Sequence, residues 1–261
     1  MTAYETIVYE TEGPLAWIRF NRPRVHNAMN MQCLRETSAA LDVAAADPAV
    51  RVVALVGSGG KAFTAGADIT ELADRTPFEM LGYNRLWLGL FDRIEAMPKP
   101  VVAGVHGWAT GGGTELSLCC DFVVCTEAAR FGLAEINIGV IPGAGAAVRL
   151  TRWVGRLKAK EILMLGDLIP GPEAVALQLA NRCVPDGALE DALRDLAGRL
   201  ASKAPLALAA AKSSVNVGGE MPQPLGLEYE LREFLLLFGT EDQKEGMRAF
   251  LEKRPARYAG R

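Results

Sequence analysis

Histidine is almost missing from this sequence. His26 and His106 are the two in 261 residues, and neither is spaced with a second ligand as a zinc site needs. Cysteine is scarce and odd in number: of the five, Cys119 and Cys120 are adjacent, and Cys125 follows without Cys-x-x-Cys spacing. That usage fits reduced thiols in a cytoplasm better than a disulfide framework. Packing or surface positions are the expected roles of these histidines and cysteines, and no metal site is expected. No apolar run is long enough to span a bilayer. The opening stretch, MTAYETIVYE, is acidic and strand-like, unlike a signal peptide or an Arg-rich transit segment. A large charge of one sign is missing too. The formal net charge of −3 argues against nucleic acid or an anionic membrane as a partner.

Several common motifs are also incomplete. GAGAAV (Gly143 to Val148) has valine where a dinucleotide fingerprint needs its third glycine. GGKA (Gly59 to Ala62) lacks the Ser/Thr that follows lysine in a phosphate loop. Gly57-Ser58-Gly59 is not a nucleophile elbow.

What is present is a chain half hydrophobic in composition, enough for a substantial core. Thr6–Glu10 and Leu15–Phe20 read as a strand pair around Gly13-Pro14, and Met31–Ala46 as a helix. Arg51–Gly57 and Pro100–Val105 are short apolar runs suited to buried strands. Each is followed by a Gly-rich loop and then a helical pattern, a recurrence that points to a layered α/β core. Pro77–Ala96 is the helix after the first loop, and Phe122–Cys125 is a further strand. From about Arg149 the strand signal stops. Lys158–Leu165, Pro172–Leu179, Leu189–Ala201, Pro205–Val217, Pro224–Phe238 and Glu241–Arg254 read as helices. The run EFLLLFG is too apolar for a solvated helix and is expected to bury against the core or another subunit.

Two glycine-rich turns and two glutamates carry the chemistry that remains. The turns are FTAGAD (Phe63 to Asp68) and the triplet Gly111 to Gly113 within HGWATGGGTELSLCCD. Each lies between a strand and a helix. Free N–H groups collect at a helix start, and two of them aimed at one point form an oxyanion hole. Glycine permits the close approach of backbone to ligand. Glu115 falls in the first turn of the following helix, where the helix dipole favours its ionised form. Glu135 lies among Leu133, Ala134 and Ile136, where desolvation favours its neutral form. Taken singly, each feature has a plain reading: a dipole partner, a residue at a strand end, a tight turn.

Together with their neighbours they resemble the enoyl-CoA hydratase/isomerase (crotonase) family. The resemblance rests on NRPRVHNAMN (Asn21 to Asn30), KAFTAGADI (Lys61 to Ile69), PKPVVAGVHGWATGGGTELSLCCD (Pro98 to Asp121), FGLAEINIGVIPGAG (Phe131 to Gly145) and TEDQKEGMRAFLEKR (Thr240 to Arg254), in family order over nearly the whole chain.

The resemblance implies an α/β fold, a crotonase-like spiral of repeated ββα units. Residues 1–195 would form the core, and residues 196–261 a helical oligomerisation region that builds trimers or hexamers. It implies an acyl-CoA substrate, no cofactor beyond it, and hydration of a 2-enoyl-CoA as in fatty-acid β-oxidation. The oxyanion N–H donors would be Ala67 and Gly112, and the acid–base pair Glu115 and Glu135. Gly143 would help to hold the water. Arg24, Val25 and His26 would border the nucleotide. Ala65, Asp68, Ile69 and Thr70 would line the pantetheine path, and Phe250 and Lys253 would reach CoA on a neighbouring subunit. Val25 and His26 depart from the usual small aliphatic pair, and Leu133-Ala134 from the commoner Gln-Pro before the second glutamate. An enoyl-CoA isomerase, another activity on a cyclic or aromatic acyl-CoA, and an inactive CoA-binding scaffold are the alternatives. Retention of both glutamates and both turns argues for the hydratase.

Overall fold

The computed structural model describes residues 4–261. Residues 1–3, which open the expected core and the acidic N-terminal stretch, lie outside the described residues. β1 (Ile7–Glu12) and β2 (Leu15–Phe20) form an antiparallel hairpin whose turn holds Gly13 at φ +56°. The sheet continues in parallel through β3 (Val52–Gly57), β5 (Val101–Val105), β7 (Phe122–Thr126) and β10 (Arg182–Val184), in the order β1-β2-β3-β5-β7-β10.

These strands read as continuous apolar runs because both of their faces are covered. Val53, Leu55, Ala103 and Val105 join one hydrophobic cluster. Val52, Ala54, Val56 and Val102 join the other. Helices α1 (Met31–Ala46) and α2 (Pro77–Ala96) supply the first cluster. Asn30 caps α1 by accepting the Cys33 N–H, and Thr76 with Glu79 closes a reciprocal capping box on α2. The second cluster is closed by α6 (Leu189–Ala201), whose Leu189, Leu193, Ala197 and Leu200 form one apolar stripe.

A second sheet, in the order β4-β6-β8-β9, is made of β4 (Ala62–Thr64), β6 (Trp108–Thr110), β8 (Arg130–Gly132) and β9 (Ile169–Pro170). β3 leads into β4 and then α2. β5 leads into β6 and then α3 (Gly112–Leu118). β7 leads into β8, a 3₁₀ turn at Glu135–Ile138 and then α4 (Ala146–Leu165). This is the expected spiral of ββα units.

The expectation of no strands after Arg149 is corrected by β9 and β10. They span only two and three residues, too short to imprint a period, and they complete the edges of the two sheets. The helix expected at Lys158–Leu165 is the second half of α4, which starts at Ala146 and is interrupted at Gly155 (φ +77°, ψ 164°). After α5 (Gly171–Ala176), α6 runs without a break through the expected division at 195/196 and packs on the sheet. α7 (Pro205–Asn216), α8 (Gln223–Leu237) and α9 (Glu241–Leu251) follow. α8 buries none of its residues and leaves Leu231, Phe234, Leu235 and Leu236 exposed.

Candidate active site

The two glycine turns lie against each other. Gly66 (φ +85°) and Gly111 (φ +53°) adopt backbone that only glycine tolerates well. A Cβ on Gly66 would collide with the Thr110 carbonyl and stand 2.8 Å from the Gly112 nitrogen. In both turns the residue after the left-handed glycine, Ala67 and Gly112, presents an N–H with no acceptor among the described residues. Two unspent donors therefore lie in the two turns where these touch. Two free backbone N–H groups in adjoining turns are what an oxyanion hole is built from.

The two turns are fixed by different means. In the first, the Asn27 side chain donates to the Ala62 carbonyl at 2.8 Å and the Ser58 carbonyl at 2.9 Å. Arg22 pairs with Asp68 at 2.8 Å, while Asp68 also accepts from the Thr70 hydroxyl at 2.7 Å. These bonds hold the Asp68 carboxyl below the usual carboxylate range, the Thr70 hydroxyl contributing most. In the second turn, packing dominates. A Cβ on Gly112 would lie 2.7 Å from the Trp87 ring, and the Thr114 hydroxyl ties α3 to the Ala109 carbonyl at 2.6 Å.

Glu115 is 4% exposed. Its Oε1 accepts N–H groups from Ala144 at 2.9 Å and Ala146 at 3.0 Å, so the turn before α4 grips the carboxylate. Burial nevertheless raises its pKa, against the pull of these N–H groups and of Arg149. The dipole of its own short helix, expected to favour the ionised form, does not prevail. Glu135 sits at the start of the 3₁₀ turn with its Oε1 over Gly111; a Cβ there would be 2.9 Å from it. Its buried Oε2 has no hydrogen-bond partner among the described residues. Burial, reinforced by the Glu115 charge, pushes its carboxyl up to about 7. The expectation that desolvation favours its neutral form is met.

Gly143 is exposed beside this pair, and its carbonyl accepts from the Asn84 side chain at 3.1 Å. Ala65 adjoins the first turn; its N–H donates to the His26 carbonyl at 3.0 Å and its carbonyl accepts from Thr110 at 3.1 Å. Arg24, Val25 and His26 are exposed on the 3₁₀ turn Pro23–Val25 and its cap, and Ile69 and Thr70 are exposed just beyond Asp68. Phe250 (84% exposed) and Lys253 lie at the end of α9, at the surface. Arg22, Asn27, Asn84, Trp87, Ala144, Ala146 and Arg149 were not singled out from sequence. Each acts on the site through a contact distant along the chain, a signal that sequence spacing does not carry. The cysteines are free; Cys33, Cys119, Cys120 and Cys125 are buried and Cys183 partly so. Burial pushes the Cys33 thiol up to about 11. No helix among the described residues is long and apolar enough to cross a membrane.

Comparison with known proteins gives the family of the chain. The family model described as enoyl-CoA hydratase/isomerase matches residues 10–261. A crotonyl-CoA hydratase of Syntrophomonas wolfei is 41% identical over 256 residues, covering 98% of each chain. A probable enoyl-CoA hydratase of Rhizobium meliloti is 44% identical over 260 residues, 99% of this chain and 100% of that protein. The crystal structure of an enoyl-CoA hydratase from Bacillus anthracis superposes with a TM-score of 0.94 at 35% identity, covering 98% of this chain and 100% of that one. The chain belongs to the enoyl-CoA hydratase/isomerase family.

Proposed function

We propose that the protein is a 2-enoyl-CoA hydratase, a hydro-lyase that adds water across the C2=C3 double bond of an enoyl-CoA thioester. One observation carries the reading. Two N–H groups without an acceptor among the described residues stand beside two carboxyls in different surroundings, Glu115 gripped by backbone donors and Glu135 with a buried oxygen that has no partner among those residues. The hydratase names of the relatives support it.

In this reading Ala67 and Gly112 donate to the thioester oxygen and stabilise the enolate charge. Glu115, ionised, takes a proton from water as the water oxygen bonds to C3. Glu135, protonated, delivers its proton to C2, and the exposed Gly143 backbone helps to hold the water. Product release and proton exchange with solvent restore both carboxyls. The acyl-CoA is the substrate, and the reaction needs no further cofactor.

Arg24, Val25 and His26 border the nucleotide, their exposure supporting this role. Ala65, Asp68, Ile69 and Thr70 follow the pantetheine, Asp68 mainly as the anchor of the turn. Residues 196–261 assemble trimers or hexamers, supported by the exposed apolar residues of α8, and bring Phe250 and Lys253 to a neighbour's CoA. The free cysteines support a reducing compartment, the cytoplasm.

A panel of 2-enoyl-CoAs tests the reading. Loss of the conjugated-thioester absorbance is expected. Intact binding of CoA thioesters with no turnover on any of them would overturn it in favour of a scaffold.

A further inference from the structure

Arg149, on the first turn of α4, reaches in two directions. Its Nε and Nη2 form a two-point pair with Glu95 of α2, at 2.8 and 3.0 Å. Its Nη1 donates to the Ala144 carbonyl at 3.0 Å, while its own backbone N–H donates to the Gly145 carbonyl at 3.0 Å. A Cβ on Gly145 (φ +106°) would collide with Nη1, so glycine there is what admits the guanidinium. The guanidinium carbon also lies 5.7 Å from the centroid of the Phe91 ring. Five donors in a planar fork suit this set of partners; a single ammonium could not span them. Ala144 is the hinge of the arrangement. Its carbonyl is held by Arg149, and its N–H, with that of Ala146, holds Glu115 Oε1.

We propose that Arg149 is a positioning residue, fixing the 143–146 turn so that two backbone N–H groups meet the Glu115 carboxylate. The inference of slower catalysis rests on the hydratase reading; the inference about the turn does not.

The charged and titratable groups around Glu115 come from three other elements and its own. Glu135 approaches from the 3₁₀ turn, Arg149 from α4 with Glu95 behind it from α2, and the Cys119 thiol lies one turn along α3. Of these, Arg149 is the cation. Removing it withdraws both its charge and, through the loosened turn, the N–H donors that favour the ionised carboxylate.

The test uses the full-length chain, with Arg149→Met, Arg149→Lys and the double variant Arg149→Met/Glu95→Leu. The Met variant is expected to lose about 10- to 100-fold in kcat on a four-carbon 2-enoyl-CoA, the scale of a small misplacement of a reacting group. KM should stay within about threefold, because Arg149 acts through Ala144 rather than on CoA. The Glu115 carboxyl, followed by 13C NMR, should titrate at higher pH, and the acid limb of kcat/KM should move with it. Lys should recover part of that titration but not full kcat.

The double variant removes both charges and avoids leaving Glu95 unpaired, so it should regain thermal stability without regaining kcat. Recovery of kcat together with stability would overturn the positioning role. So would a folded Met variant with unchanged kcat and unchanged Glu115 titration in a chain that hydrates normally. A shifted Glu115 titration in a chain that hydrates nothing would uphold the positioning and remove the hydratase reading instead.

Discussion

The start of α3 and the 3₁₀ turn at Glu135 each bring a glutamate to the space beside Gly111, but in opposite surroundings. Glu115 is sealed in, and Oε1 is held by two backbone N–H groups. Glu135 is half-buried, and its Oε2 has no partner among the described residues. Burial raises both carboxyls; two N–H groups from a distant turn and the Arg149 charge oppose that rise at Glu115, while Glu135 has only its own backbone N–H against it. Identical side chains are thus separated by what the backbone offers them. In the proposed reaction that difference suits one to accept a proton from water and the other to give one away.

Removing each acid in turn breaks the comparison most directly. Glu115→Gln and Glu135→Gln should each lower 2-enoyl-CoA hydration by about 10²- to 10⁴-fold, the usual worth of a positioned acid or base. KM should change little, since glutamine keeps the shape and an accepting oxygen. The double variant should lose less than the product of the single losses, because the pair acts on one water. An isomerase moves a proton between C2 and C4 and works with one carboxylate. A single variant with near wild-type hydration would therefore end the two-glutamate account.

The next effect concerns the charge against which both carboxyls work. Ala67→Pro removes one of the two proposed oxyanion donors and no structural bond, because the Ala67 N–H has no acceptor within the described protein. A loss of about 10²- to 10³-fold in kcat is expected, the measured scale for one such donor. Thermal unfolding must accompany the assay, since proline restrains Gly66 as well. A folded Ala67→Pro enzyme with normal turnover would show that the two turns do not act as a pair of donors.

The long elements of this fold were legible because their patterns are strong. α1 has an Asn cap and helical spacing, and β3 and β5 are Val-rich runs, each followed by a glycine-rich loop. The short strands β4 and β6 lie within stretches that read as glycine-rich loops, and β8 gives no signal of its own, since three residues carry no period; yet they form the sheet that seats both turns. Both glutamates and both glycine turns were visible as residue types. Their roles came from resemblance rather than spacing. What could not be read was the grip on Glu115. It comes from the backbone of residues 144 and 146, and no side-chain pattern announces a backbone donor. The dipole argument failed at Glu115 for the same reason: its desolvation is a product of tertiary packing.

The contrast between the carboxyls can be sharpened by pH. Glu135 must be protonated to donate, and its carboxyl sits at about 7 in the folded protein. The rate constant kcat/KM should therefore fall as pH rises through about 7, approaching tenfold per unit. Glu115 must be ionised, and its pKa is raised above 4.5, so a second limb appears as pH falls. The limbs report the coupled pair. In Glu135→Gln the remaining activity should lose the alkaline limb. A wild-type profile flat from pH 6 to 9 would contradict the assignment of Glu135 as the acid.

The smallest effect is on stability, and it also separates the two sites. Glu135 binds its proton up to about pH 7 when folded, against an ordinary value of 4.5. Between these values the native state carries a proton that the unfolded chain has released. Stability on this account falls as pH rises from about 4.5 to about 7, and the deficit persists above that. Glutamine is neutral throughout, so Glu135→Gln should be more stable than wild type at pH 8 and equal to it near pH 4. The gain should be about 1–2 kcal/mol, allowing for the solvent that reaches a half-buried carboxyl. For a chain of this length that corresponds to roughly 2–6 °C in Tm. Glu115→Gln should gain less, because it gives up the charge that the Ala144 and Ala146 N–H groups and Arg149 favour. Thermal melts of both variants at pH 4 and pH 8 decide the matter. Equal gains for the two, or a Glu135→Gln gain that does not grow with pH, would mean that the two carboxyls are not held differently.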